Sequence, residues 1–234
     1  RAGFRSVRTA GLEYYDTFAN IKSSVEQSKM FKMTDKDGNL IVLRPDMTLA
    51  CARIAATKLG ESGAKLCYFS NIYDFSAGGN SDREVAQAGV EIFGEEGALA
   101  DARAVAFAID CLKAVGLREF IVDIGHVGFY KGLLEESGLS EEAAEEIRGY
   151  INAKDAVNCE IALKRYGANE KAQTAILALS SLFGGAEVLD EAEKLTDNAL
   201  ALSSLAHLKK VYAHLKELGA DKYVSFDLGT VKSL

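Results

Sequence analysis

The chain has 234 residues, long enough for one large domain or two modest ones. Its 48% hydrophobic and 26% charged residues are those of an ordinary soluble globular protein. With 34 acidic against 27 basic side chains and a net charge of −7, a general nucleic-acid surface is excluded, because backbone binding needs clustered Lys and Arg.

Residues 4–9 alternate like a strand, and the aromatic-rich segment 12–18 continues it. The stretch 20–30 is polar and reads as loop or short helix. Two apolar runs, 31–34 and 40–43, bracket Asp35-Lys36-Asp37-Gly38-Asn39, and the Asp-Gly pair marks a hairpin. That hairpin leads to Arg44-Pro45-Asp46-Met47-Thr48. Pro45, the one proline of the chain, fixes its own φ and pushes Arg44 into the extended region, so a strand ends there. A helix is expected from Asp46 to about residue 59, with Met47, Ala50, Cys51 and Ile54 on one face and Gly60 as its cap. Asp46 at this corner reads either as the cap of that helix or as a contact to a small ligand.

Residues 65–75 form a long expected strand, and a glycine-containing loop, 76–83, precedes a second one, 84–93, returning antiparallel. Gly78-Gly79 could cradle a phosphate, although no P-loop or dinucleotide fingerprint is present and no cofactor is expected. In the second strand Ala86, Ala88, Val90 and Ile92 share one face, read as the core face. Gln87, Gly89 and Glu91 share the other. Gly89 would leave a bare floor between two polar side chains, which suits a ligand lying across a sheet. The alternative is a solvated strand face with an incidental glycine.

An alanine-rich helix with Ala102, Val105, Ile109 and Leu112 as its stripe is expected over 98–115, stopped at Gly116. A strand follows at 120–124 and a helix starts within 127–134. From about Gly138 the pattern is helical, over 141–155, 158–166, 171–183 and 197–218. The last carries a seam of Leu205, Leu208, Tyr212, Leu215 and Leu218. Glu135-Glu136 and Glu141-Glu142 read as solvated helix ends. A strand returns at 223–227. These patterns describe an α+β fold with a helical insertion: a core over 1–137, the insertion over 138–219 and a returning core strand over 220–234.

Cys51, Cys67, Cys111 and Cys159 are widely separated in apolar contexts and read as reduced, buried thiols. His126, His207 and His214 share no ligand spacing, so no metal is expected. No long apolar segment or signal peptide is evident, which leads to the expectation of a cytoplasmic protein with no membrane partner. The sequence opens at Arg1 and closes after Leu234 as though cut at both ends.

Several stretches together resemble a known family. Residues 9–16, Thr-Ala-Gly-Leu-Glu-Tyr-Tyr-Asp, are similar to the tail of the first motif of class II aminoacyl-tRNA synthetases. Leu43-Arg44-Pro45-Asp46-Met47-Thr48 resembles the segment that holds the amino-acid ammonium in the histidyl branch. Residues 67–74 and 83–94 are similar to the two strands of the second motif, and Phe226-Asp227-Leu228-Gly229 leads toward the later histidine-specific segment. The resemblance implies the antiparallel sheet of the class II catalytic domain.

The sequence departs from the pattern at Ala10, in place of the first motif's proline, at Lys232-Ser233, in place of Arg-Gly, and at Asp74. Asp74 stands where the synthetases place the arginine that grips the ATP α-phosphate. An acid there repels that phosphate by about 1 kcal/mol in water and several at lower dielectric. A synthetase-like fold without adenylating residues resembles the regulatory subunits of ATP phosphoribosyltransferase. The resemblance implies no catalysis, and hetero-oligomerisation with a short catalytic subunit in the first step of histidine biosynthesis. It also implies self-association as a dimer, and histidine rather than tRNA as a ligand. Asp46 would hold the ammonium, Thr48 would add a hydroxyl, Gln87 would orient the ligand, and Glu91 would accept from the imidazole N–H. The alternative is a divergent or truncated histidyl-tRNA synthetase.

Overall fold

In the computed structural model residues 3–19, 25–59, 63–75 and 82–230 are described, and the chain divides into compact units Arg1–Glu95 and Glu96–Leu234. Gly60, the Gly78-Gly79 loop and Lys232-Ser233 lie outside the described residues, as does part of the stretch 20–30.

The first unit contains β1 (Arg5–Ser6), β2 (Leu12–Tyr14), the short α1 (Asp16–Ala19), β3 (Lys32–Thr34) and β4 (Leu40–Leu43). It continues through α2 (Thr48–Ile54), β5 (Ala64–Tyr73) and β6 (Glu84–Phe93). The Asp-Gly hairpin forms as its turn chemistry dictates. Asp35 Oδ1 accepts from the Asp37 and Asn39 amides, each at 2.9 Å, and Gly38 takes φ +84°, a conformation open to glycine. Strands β2, β4 and β3 make one antiparallel sheet, in that order. A second sheet has the order β1-β5-β6, with β1 parallel to β5 and β5 antiparallel to β6 from Ala64↔Phe93 to Tyr73↔Glu84.

Helix α2 begins two residues later than expected and continues as a π-helical turn over Ala55–Leu59. Its buried residues Ala50 and Cys51, with Met47 and the half-buried Ile54, form the expected face. That face packs on Leu66 and Tyr68 of β5 and on Phe93 of β6. Register places Leu66 and Tyr68 opposite Glu91 and Gly89, so α2 covers the side of the sheet that carries Gln87, Gly89 and Glu91. The sequence expectation had the two faces of β6 reversed. Ala86 and Ala88 are exposed, and Phe69 on the same side is 77% exposed.

The second unit starts with α3 (Ala98–Ala114), β7 (Val122–Ile124), α4 (Val127–Ser137), α5 (Glu141–Asn152), α6 (Ala156–Arg165) and α7 (Glu170–Ala178). It ends with β8 (Phe183–Gly184), α8 (Glu187–Glu193), α9 (Ala199–Glu217) and β9 (Val224–Asp227). Side chains cap most of these helices. Ser140, Asp155, Asn169 and Asn198 accept amide hydrogen bonds at the starts of α5, α6, α7 and α9. The core gathers Phe129, Leu133, Ile147, Leu163, Leu205 and Phe226. The β-strands form a sheet of order β7-β9-β8, with β7 parallel to β9 and β8 antiparallel to it. The helices expected as an insertion over 138–219 share this unit with α3, β7 and β9.

Leu205, Leu208 and Leu215 of α9 are buried as expected, but Leu218, just after the helix, is 48% exposed, and Val211 is buried in the core. The short α8 and β8 have no counterpart in the sequence expectation. Cys51 and Cys159 are buried as expected, but Cys67 is half-buried and Cys111 exposed. Glu136 is not a merely solvated end: it pairs with Lys171 Nζ at 2.7 Å and accepts from Thr196 Oγ1.

Candidate functional site

The Pro45 corner is held by the residue before it. Arg44 is 4% exposed, and its guanidinium donates to the Thr9 carbonyl, the Thr9 hydroxyl at 2.9 Å, the Ala10 carbonyl at 2.8 Å, the Ser70 hydroxyl at 2.6 Å and the Asn71 carbonyl. The Arg44 backbone joins the same two segments, with its N–H to Gly11 O at 2.9 Å and its carbonyl accepting from Tyr73 N at 3.0 Å. One planar fork therefore fixes the end of β4 against the β1–β2 connection and β5, which sets where Asp46 and Thr48 emerge.

Asp46 Oδ1 accepts from the Leu49 amide at 3.1 Å, so Asp46 does tie down the first turn of α2. Thr48 Oγ1 donates to Glu91 Oε1 at 2.8 Å across to β6. Gln87, two side chains further along the same face, is half-buried, and its Oε1 is buried with no hydrogen-bond partner among the described residues. A buried amide oxygen without a donor costs about 1–3 kcal/mol, a cost that an N–H group of a ligand would remove.

Two further side chains belong to this cluster. The Tyr68 hydroxyl is pushed up to about 12 by burial, then by the nearby charges of Glu91 and Asp46. The Cys51 thiol is pushed up to about 11 by burial, Glu91 and Asp46, with Arg44 opposing. Both groups stay neutral at physiological pH, and both lie in the field of the same two carboxylates. The Arg44 guanidinium, which opposes the shift at Cys51, is already committed to hydroxyls and carbonyls. The site is acidic and suits a ligand that brings an ammonium or other N–H donors.

Gly89 does not leave the expected bare floor. A β-carbon there would overlap the Tyr68 hydroxyl and Cζ and stand 2.9 Å from Cε2. The phenol, reaching over from the opposed position on β5, fills the space. Pairing an aromatic residue with a strand glycine is a known packing solution, and the antiparallel register of the two strands carries the signal. Sequence reasoning missed Tyr68 and the anchoring role of Arg44. It also missed the Arg53–Glu13 pair, in which Glu13, 5% exposed, accepts two bonds of 2.7 and 2.6 Å from Arg53 Nη2. Cavities of about 280 Å³ open elsewhere, one lined by Arg5, Lys65 and Glu95, another by Arg8, Arg53 and Lys58. Among the described residues no group of three or more His, Cys, Asp or Glu could hold a metal ion, and no helix is long and apolar enough to cross a membrane.

A family model for histidyl-tRNA synthetase matches residues 1–234. The chain belongs to the histidyl-tRNA synthetase family. Within it, the chain is 40% identical over 236 residues to a protein of Acetivibrio thermocellus named as an ATP phosphoribosyltransferase regulatory subunit, covering 100% of this chain and 56% of that one. A crystal structure from Bacillus halodurans, described as an ATP phosphoribosyltransferase regulatory subunit/histidyl-tRNA synthetase, matches with a TM-score of 0.90 at 35% identity over 98% of this chain and 60% of that one. A chain of the ATP phosphoribosyltransferase complex of Thermotoga maritima matches with a TM-score of 0.70 at 22% identity, over 98% of this chain and 76% of that one, a likeness of fold alone. The chain thus spans a little over half the length of the curated Acetivibrio relative. Its α+β fold is that of the class II synthetase-like members of this family.

Proposed function

We propose that this chain is the synthetase-like part of a regulatory subunit of ATP phosphoribosyltransferase, without catalysis of its own. It pairs with a short catalytic subunit for the first step of histidine biosynthesis, in the cytoplasm, as a dimer of its own kind within the hetero-oligomer. The observation that carries this reading is the 40% identity across the whole chain to a protein named for that role. In this reading 1–137 and 220–234 form the core and 138–219 an inserted helical subdomain.

The site chemistry agrees with the reading. Asp46, Thr48, Gln87 and Glu91 keep the side that receives an amino acid: an acid for the ammonium, a buried amide oxygen without a partner among the described residues, and a second acid for a side-chain N–H. On the phosphate side, Asp74 directly follows β5, with its amide bonded to Arg83 O at 3.0 Å. A carboxylate there opposes an anionic phosphate, whereas adenylate formation needs cations placed on it at the transition state. The ligand is histidine, bound for feedback, and tRNA is not a partner.

The test is reconstitution with a short catalytic transferase. Phosphoribosyl transfer should rise when the chain is added and fall again with histidine. ATP–pyrophosphate exchange driven by histidine in the isolated protein would refute the regulatory reading and establish a divergent synthetase instead.

A further inference from the structure

Helix α2 closes in a π-helical turn over Ala55–Leu59, a feature frequent at functional sites. At 3.6 residues per turn, position i+5 of an α-helix stands about 140° around the axis from position i. A turn closed i→i+5 brings the two toward one side. Arg53, Thr57 and Lys58 accordingly line one cavity of about 280 Å³, together with Arg8, Thr9 and Ala10 of the β1–β2 connection. Both walls are tied down. The Thr57 hydroxyl donates to Arg53 O at 2.7 Å, and the Thr9 and Ala10 carbonyls are held by the Arg44 guanidinium.

Three cations line this cavity and no Asp or Glu is among its lining residues, although the chain carries 34 acidic against 27 basic side chains. Arg8 and Lys58 are exposed and have no ion-pair or hydrogen-bond partner among the described residues. Arg53 is aimed by the buried Glu13, whose two oxygens accept from Nη2 alone at 2.7 and 2.6 Å. Its Nε and Nη1 donors are left for a further acceptor. A recess lined by charges of one sign focuses their field on whatever enters it, and guanidinium and ammonium groups are the usual donors to phosphate oxygens.

We propose that this cavity is a binding site for a small phosphate-bearing anion, held by Arg8, Arg53 and Lys58. Its volume lies just below the ~300–1,000 Å³ of sites for drug-sized ligands, which suits phosphate or pyrophosphate and leaves a nucleoside outside. The site uses none of Asp46, Thr48, Gln87 and Glu91, so it stands or falls apart from the reading of that cluster.

Calorimetric titration of the whole chain with inorganic phosphate, pyrophosphate and AMP tests this, in phosphate-free buffer at about 0.1 M salt, where charges are screened beyond about 10 Å. Pyrophosphate should bind saturably, one per chain, and more tightly than phosphate, and AMP should bind no more tightly than phosphate. Arg8→Gln and Lys58→Gln should each lose about tenfold or more in pyrophosphate affinity, the factor for one charge-assisted hydrogen bond. Lys58→Arg should keep it within about threefold. Neither Arg8 nor Lys58 holds another described group, so both variants should fold, as circular dichroism would verify. Lys210→Gln removes the same charge from an exposed position on α9 and should bind as wild type does. A loss in Lys210→Gln equal to that in Lys58→Gln would reduce the effect to net charge and overturn the site. So would the absence of saturable pyrophosphate binding in wild type, or unchanged binding in the Arg8→Gln, Lys58→Gln double variant. AMP binding tighter than that of pyrophosphate would overturn the assignment to a small anion.

Discussion

Replacing Arg44 by lysine keeps the positive charge and removes the fork, which isolates the geometric part of its role. A lysine ammonium has three donors, too few for the Thr9 carbonyl and hydroxyl, the Ala10 carbonyl, the Ser70 hydroxyl and the Asn71 carbonyl that Arg44 serves. About two acceptors are left without a charged donor, at ~1.5 kcal/mol each, so Arg44→Lys should destabilise the first unit by ~3 kcal/mol. That is a large fraction of the ~5–15 kcal/mol typical of a domain. Because the chain has two compact units, a global melt would mix their transitions. Native-state hydrogen exchange of β5 amides gives a local measure, and the Tyr73 amide bonded to Arg44 O is the most direct reporter. Protection at Tyr73 should fall by about two orders of magnitude, since 1.4 kcal/mol corresponds to tenfold. A loss below about 0.5 kcal/mol would refute the claim that the fork fixes the corner.

Other substitutions separate roles that coincide in one side chain. Asp46→Asn retains an oxygen able to hold the Leu49 amide but removes the charge. Thermal stability should stay within about 0.5 kcal/mol, while calorimetric affinity for histidine falls about tenfold or more; a parallel loss of both would make Asp46 a cap alone. His126 Nδ1 accepts from the Gly128 amide at the start of α4 at 3.0 Å. Its pKa is held below the ordinary 6.5 by burial and then by the facing His207, with Asp101 on α3 opposing. The folded state therefore favours neutral His126, so its contribution is complete above pH 6.5 and is lost as pH falls through the lowered folded value. Melting curves between pH 8 and 5 should show a drop that His126→Asn, a non-titrating acceptor, reduces. Gly132→Ala would set a β-carbon 2.5 Å from Asn198 Oδ1 and 2.6 Å from Ala201 N, disrupting both the α4–α9 approach and the cap of α9. A loss of about 2 kcal/mol or more is expected in thermal unfolding.

Much of the local structure was legible in the sequence because its causes are local. The Asp-Gly hairpin, the strand stop at Pro45, the glycine that ends α3 and the period of α9 follow from dihedral limits and side-chain spacing within a few residues. The site residues Asp46, Thr48, Gln87 and Glu91 stand out by the same local patterns and by a family resemblance. The structure joins Thr48 to Glu91 by a hydrogen bond and leaves the Gln87 oxygen without a partner among the described residues. Strand alternation separated Gln87 and Glu91 from Ala86 and Ala88 correctly, yet it gave no means of deciding which side α2 would cover. Short elements such as α8 and β8 carry too few residues for a periodic signal.

The sequence by itself determined most of the longer elements, the corner and the polar composition of the site, since each depends on neighbours along the chain. Tertiary structure decided what those elements do to one another. It paired β1 with β5 and β7 with β9 in parallel, laid α2 over the polar side of β6, and placed the Tyr68 phenol in the space left by Gly89. These are contacts between residues distant in sequence, fixed by packing volume and register rather than by local propensity.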